Sequence, residues 1–194
     1  PLEPGGPLRL LVFGGSQGAR FFSEAVPPAL ASLPPDVRCR LKLVQQARAE
    51  DVTEVTAQTK AAGIDAEIAP FFKDLPRIMA ESHLVIARAG ASSVAELAVI
   101  GRPSILVPLP HSLDSDQLEN ATNLAESGGS WCIEQKDLSP PRLATELAKL
   151  FEQPEKLSAA AASAKAQGRA EAVTLLADLV GEVIARQSAG RDAS

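Results

Sequence analysis

The stretch Leu8–Phe13 (LRLLVF) runs directly into Gly14-Gly15-Ser16-Gln17-Gly18-Ala19-Arg20. A short apolar run closed by glycines reads as a buried strand ending in a turn. The residues that follow read as a helix over about 18–33. A glycine turn between a first strand and its helix is where open α/β folds bind phosphate groups. Glycine lets the backbone approach the ligand, and the helix N-terminus offers free N–H groups and the positive end of its dipole. Ser16 adds a hydroxyl donor.

Three other readings of the same loop need weighing. It is not a P-loop, because no Gly-Lys-Ser/Thr follows. It does not spell the dinucleotide fingerprint GxGxxG, and Gln45-Gln46 stand where an acidic residue would end the second strand, so NAD binding is disfavoured. It does match GxSxG, the nucleophile elbow of α/β-hydrolases. That reading needs a late histidine, and His83 and His111 are the two available. A plain strand-to-helix turn is the bland alternative.

Working outward, five more apolar runs follow: Leu41–Gln46, a weaker Asp65–Pro70, His83–Ala87, Ser104–Val107 and Ser130–Glu134. Helical segments fill the gaps at about 50–62, 74–81, 92–100, 115–127 and 140–152. Gly63 and Gly101 sit where C-caps belong, and Ser139 precedes Pro140 as a cap before an N1 proline. Strands alternating with helices predict a Rossmann-like, doubly wound parallel sheet of about six strands. Residues 1–7 read as a linker, 8–186 as the ligand-binding domain with C-terminal helices, and 187–194 as a polar tail. Leu157–Ala166 is an alanine-rich helix. Residues 169–186 carry Val173, Leu176, Ala177, Val180, Val183 and Ile184 as an amphipathic stripe. That stripe either packs on its own sheet or docks on something else.

The chain has 194 residues, 45% hydrophobic and 22% charged, which suits a globular domain. Aromatics are only 4%, so the core must be aliphatic. The net charge of −5 argues against a general nucleic-acid binder. No run approaches the roughly 18 apolar residues of a membrane span. Two cysteines make neither a disulfide framework nor a zinc site, and a cytoplasmic setting is the expectation. The start at Pro1 suggests a piece of a longer protein.

A second polar cluster, Arg88-Ala89-Gly90-Ala91-Ser92-Ser93-Val94-Ala95-Glu96, follows the strand His83–Ala87. Ser92 or Ser93 can cap the next helix, and Ser93 with Glu96 has capping-box spacing. Alternatively, Glu96 lies one turn into a helix at the ligand edge of the sheet, where a carboxylate accepts two hydrogen bonds from a ribose diol. The amides of Ala91 to Ser93 would then hold phosphate. A third cluster follows Ser104–Val107, in which Asp116, Gln117 and Asn120 can bond sugar hydroxyls. His111 is either a phosphate or sugar contact or an ordinary loop residue. Asp114 with Asp116 lacks a third ligand, so neither metal nor cofactor is expected.

These pieces, in this order, resemble the C-terminal half of the MurG family, UDP-N-acetylglucosamine-dependent glycosyltransferases of peptidoglycan synthesis. The motifs that carry the resemblance are Gly14–Arg20, Ala87–Glu96, Gly101-Arg102-Pro103-Ser104, and Pro108-Leu109-Pro110-His111 with Gln117 and Asn120. The resemblance runs from about Leu8 to Ile184. It implies one half of a GT-B enzyme, the half that holds the donor. Gly14, Gly15, Ser16, Gln17, Gly18, Ala91, Ser92 and Ser93 would contact the diphosphate. Phe72 would contact uracil through its main chain, Glu96 would bind the ribose, and Asp116, Gln117, Asn120 and His111 would face the sugar. The position of Asp116 is often Gln or His in the family, and the His-Gln-x-Gly after strand two is here Gln45-Gln46-Ala47-Arg48.

The resemblance further implies an inverting transfer of N-acetylglucosamine from UDP-N-acetylglucosamine to lipid I, giving lipid II. The catalytic base and the acceptor site lie in an N-terminal half, peripheral on the cytoplasmic face of the inner membrane. The piece alone would bind donor with little turnover, and the last helix would pack on the missing half or drive self-association. A stand-alone nucleotide-sugar binding module without chemistry is the alternative.

Overall fold

The computed structural model describes residues 3, 5–15, 20–110 and 116–168. Six parallel strands form one sheet: β1 (Leu8–Phe13), β2 (Leu41–Gln46), β3 (Asp65–Ala69), β4 (Leu84–Ala87), β5 (Ser104–Leu106) and β6 (Ser130–Cys132). Their order is β3-β2-β1-β4-β5-β6. This is the doubly wound arrangement expected from the sequence. The register is parallel throughout; Leu10, for example, lies between Leu43 and Leu84.

The strands are short and apolar because both faces are covered. In β1 every residue except Arg9 is buried. Alternation then sends neighbouring side chains to opposite layers. Leu8, Leu10 and Val12 join Leu84, Ile86, Ile105 and Val107 on one face. Leu11 and Phe13 join Val85, Ala87 and Leu106 on the other. The first face is covered by α1 (Arg20–Ala31) and α7 (Pro140–Phe151), which also touch each other. The second is covered by α4 (Leu75–Glu81), α5 (Ala91–Ile100), α6 (Asp116–Glu126) and α8 (Pro154–Gln167). The sheet's outer portion packs against α3 (Val52–Ala61).

Local chemistry sets the helix ends. Ser139 is the N-cap of α7, its hydroxyl accepting from the Arg142 N–H at 3.4 Å, with Pro140 at N1. Gly101 closes α5 in the left-handed region at φ 75°, and both its N–H and that of Arg102 return to the Leu97 carbonyl.

The helix boundaries differ from the sequence reading in instructive ways. A short helix α2 (Pro35–Arg38) and a 3-10 turn at Gln135–Asp137 were not expected. Pro35 presets the first of these at N1. The helix α8 starts at Pro154, again with proline at N1, where the helical pattern after residue 153 begins. The amphipathic stripe of 169–186 and the tail at 187–194 lie outside the described residues.

Candidate functional site

The strand order reverses between β1 and β4, whose carboxyl ends therefore open a crevice. Gly14 and Gly15 leave β1 on one side of it, and Gly90 and α5 leave β4 on the other. Gly15 has φ +81°, a conformation that suits glycine, and nothing lies within 4 Å of where a Cβ would stand. This turn is therefore open to a ligand rather than packed shut.

A cavity of about 550 Å³ fills the crevice. Its lining brings Gly15, Phe72, Ser92, Ser93 and Glu96, from three separate motifs of the sequence, to one place. Phe13 and Leu75 supply apolar floor, while Lys73 and Gln46 add polar lining that the sequence reading missed. Phe71 also lines it, with 72% of its surface exposed. An aromatic ring left so open beside a cavity is a platform for a flat ligand group. The signal for it was present in the Phe71-Phe72 pair.

Gln46 shapes the cavity. Its Oε1 accepts from the Gly14 N–H at 3.3 Å, and its Nε2 donates to the Pro70 carbonyl at 3.1 Å. It thus ties the exit of β1 to the segment leaving β3. Gln46 stands where the dinucleotide fold has its ribose-binding acid, but here its side chain bonds backbone at Gly14 and Pro70.

The helix α5 corrects one expectation. Its N-cap is Gly90, without a side-chain cap, so Ser92 and Ser93 lie inside the first turn and Ser93 forms no capping box with Glu96. The reason is Gly90's extended backbone, which starts the helix two residues before Ser93. Glu96 is exposed and forms no hydrogen bond or ion pair among the described residues. Ser92 and Ser93 hydroxyls are likewise without partners there. The first-turn amides of α5 lack partners within the helix, and Ser92 and Ser93 of that turn line the cavity.

The third cluster is arranged differently. Asp116, Gln117 and Asn120 sit on α6, at the same edge of the sheet but outside the lining of this cavity. Gln117 Oε1 accepts from the Leu109 N–H at 3.0 Å, and Asn120 Nδ2 donates to the Ala89 carbonyl at 3.2 Å. Asp116 Oδ1 accepts from the Gln117 N–H at 2.7 Å. Gln117 and Asn120 thus tie α6 to the loop after β5 and to the loop after β4, while the Asp116 bond stays within the start of α6. The Gln117 amide N–H groups have no partner among the described residues. Ala91 is exposed at the start of α5. Ser16, Gln17, Gly18 and His111 lie outside the described residues.

The nucleophile-elbow reading finds no support in His83, the one of its two histidines that lies among the described residues. His83 precedes β4, at the amino edge of the sheet, and its Nδ1 accepts from the Arg9 N–H at 3.0 Å. The four residues of β4 separate it from the crevice, roughly 13 Å of strand. It cannot serve a nucleophile in the glycine turn.

Comparison with known proteins is consistent with this geometry. Residues 9–176 match the model of the glycosyltransferase family 28 C-terminal domain. The UDP-N-acetylglucosamine–N-acetylmuramyl-(pentapeptide) pyrophosphoryl-undecaprenol N-acetylglucosamine transferase of Methylorubrum populi is 57% identical over 96% of this chain and 51% of its own length. The protein of the same name in Methylobacterium sp. (strain 4-46) is 58% identical over 93% of this chain and 49% of its own length. The chain thus spans about half the length of these curated relatives. The crystal structure of Acinetobacter baumannii MurG superposes with a TM-score of 0.82 at 31% identity, over 94% of this chain and 54% of that one. With its six-stranded doubly wound sheet and its crevice at the β1/β4 switch point, the chain belongs to the glycosyltransferase family 28 C-terminal domain family.

Proposed function

We propose that this chain is the donor-binding half of a MurG-type glycosyltransferase, and that the crevice between β1 and β4 takes UDP-N-acetylglucosamine. The observation that carries the reading is the cavity itself. It joins a left-handed glycine turn, the start of α5, an unpartnered carboxylate at Glu96 and two adjacent phenylalanines.

Each part suits one part of the donor. The glycine loop around Gly14–Gly18 and the amides of Ala91 to Ser93 hold the diphosphate, because helix N-termini favour anions. The Ser92 and Ser93 hydroxyls add donors. Glu96 accepts from both ribose hydroxyls, in charge-assisted hydrogen bonds. The Phe71–Phe72 segment holds the uracil, with Phe72 contacting it through the main chain. Gln117, Asn120, Asp116 and His111, on the loop and helix after β5, face the N-acetylglucosamine.

In the whole enzyme the reaction is a direct displacement with inversion. A base in the other half takes the proton of the lipid I hydroxyl as its oxygen attacks the sugar's anomeric carbon. UDP leaves, and this half stabilises the charge that develops on it. The product is lipid II, made at the cytoplasmic face of the inner membrane. Among the described residues no helix is long and apolar enough to cross a membrane.

The test is calorimetric titration of UDP-N-acetylglucosamine, followed by assay with lipid I. The chain should bind the donor saturably and turn over only when the N-terminal half is added. Absence of donor binding would overturn the proposal.

A further inference from the structure

Arg88 immediately follows β4, yet its side chain does not enter the donor cavity. It is 8% exposed, which is rare for a guanidinium without an ionic partner. Nη1 donates to the carbonyls of Val107 and Pro108, each at 3.1 Å. Nη2 donates to Gln135 Oε1 at 2.6 Å. Its carbon centre lies 5.6 Å from the Phe21 ring centre and 5.2 Å from that of Phe22. Nε is buried and unpartnered.

Those contacts tie the end of β4 to α1, to the loop after β5 and to the turn at Gln135; α1 follows the glycine turn, of which Gly15 lines the cavity. Phe21 and Phe22 are the second and third residues of α1, the helix whose start follows the glycine turn. Val107 and Pro108 begin the loop after β5. Arg88 itself fixes both to the end of β4. Gln45 secures the same turn of α1 from β2, its Nε2 donating to the Phe22 carbonyl at 3.3 Å.

The charge is the second observation. Among the described residues no carboxylate pairs with Arg88. Burial lowers its affinity for the proton, but a guanidinium stays charged at neutral pH. Carbonyl dipoles and ring faces solvate the cation without neutralising it. A full positive charge is therefore held in low dielectric, beside the turn that starts α1, where its field reaches far.

We infer that Arg88 is a positioning residue for the diphosphate end of the donor: it clamps the first turn of α1 and the exit of β5 to β4, and its uncompensated charge attracts the phosphates. The inference rests on the donor reading given above and deepens it. It assigns phosphate affinity to a side chain behind the site that does not touch the ligand.

The experiment compares UDP with uridine, which lacks the phosphates, by calorimetry or chemical-shift titration of the chain. Arg88→Met should weaken UDP roughly tenfold or more, as expected for loss of charged hydrogen bonds and field, and should change uridine less than about twofold. The salt dependence of UDP binding should flatten. Arg88→Lys, which keeps the charge but not the fork, should fall between. A merely structural arginine would lower the melting temperature and leave the UDP-to-uridine ratio alone, and that result would overturn the inference. If Arg88→Met does not fold, Gln135→Ala removes one anchor and should lower the same ratio by a smaller factor. An unchanged ratio there counts equally against it. Failure of the unaltered chain to bind UDP would sink the donor reading and this inference together, whereas UDP binding with an unchanged ratio sinks this inference alone.

Discussion

The two edges of the sheet hold similar residue types, paired throughout at one and left partly open at the other. At the amino edge polar groups satisfy one another. Arg9 pairs with Glu81 at 3.7 Å, and its N–H bonds His83. Lys42 pairs with Asp65, Arg40 donates to the Gly6 carbonyl, and Arg77 joins Glu81. At the carboxyl edge Glu96, Ser92, Ser93 and Lys73 line a cavity and form no such pairs among the described residues. Polar groups that complete each other support the fold, whereas groups held open on rigid elements await a ligand. The contrast supports the candidate site without relying on any motif.

The comparison can be broken or sharpened by substitution. The largest effect belongs to neither edge but to the core they share. Ile86 is fully buried in β4, and Ile86→Ala should cost about 2–5 kcal/mol of stability in urea unfolding. A cost below 1 kcal/mol would mean that β4 does not anchor both edges. Next comes base selectivity at the carboxyl edge. UDP should bind about tenfold better than ADP, as one or two lost base contacts would give. Equal affinity would remove the uracil from the Phe71–Phe72 segment.

A smaller effect tests a helix start outside the lining of the cavity. Ser139→Ala should lower stability by about 0.5–1 kcal/mol, since the cap bond is long, and leave UDP affinity unchanged. The smallest effect belongs to the amino edge. Burial first, then the charges of Arg9 and Arg102, hold the His83 pKa below its ordinary value. A proton on Nδ1 would also break its bond from the Arg9 N–H. The folded state thus prefers neutral imidazole. Its contribution is fully present above the unfolded value near 6.5 and is lost as pH falls through that value toward the folded one. His83→Gln should flatten the stability-versus-pH curve in that window, and an unaltered curve would contradict the assignment.

Much of the fold was legible because the strands are buried on both faces and bounded by glycine, proline and serine. All six strands were located, since runs such as LRLLVF and HLVIA have no competing reading. The helix α1 was located despite Pro27 and Pro28 in its interior. Isolated, those prolines would break it; packing of Phe22, Val26, Ala29 and Leu30 holds it together. The turn at Gln135–Asp137 was illegible because three polar residues carry no period.

At the site, the residues attached to strand exits were legible: Gly15, Ser92, Ser93 and Glu96 follow apolar runs, where open sheets place ligands. Gln46 was seen but read only as a missing acid, because its role depends on Gly14 and Pro70, far off in sequence. Arg88 stands inside a legible motif, but its stacking on Phe21 and Phe22 depends on which helix covers which face. The capping reading of Ser93 failed for a local reason, since Gly90 already supplies the extended cap residue.

The most direct test sets one carboxylate from each edge side by side. UDP is titrated by calorimetry into the unaltered chain, Glu96→Ala and Glu81→Ala. Glu96→Ala should lose about 1–3 kcal/mol of binding, a charged hydrogen-bond pair, and Glu81→Ala should match the unaltered chain. Equal affinity in all three, or no UDP binding by the unaltered chain, would contradict the account.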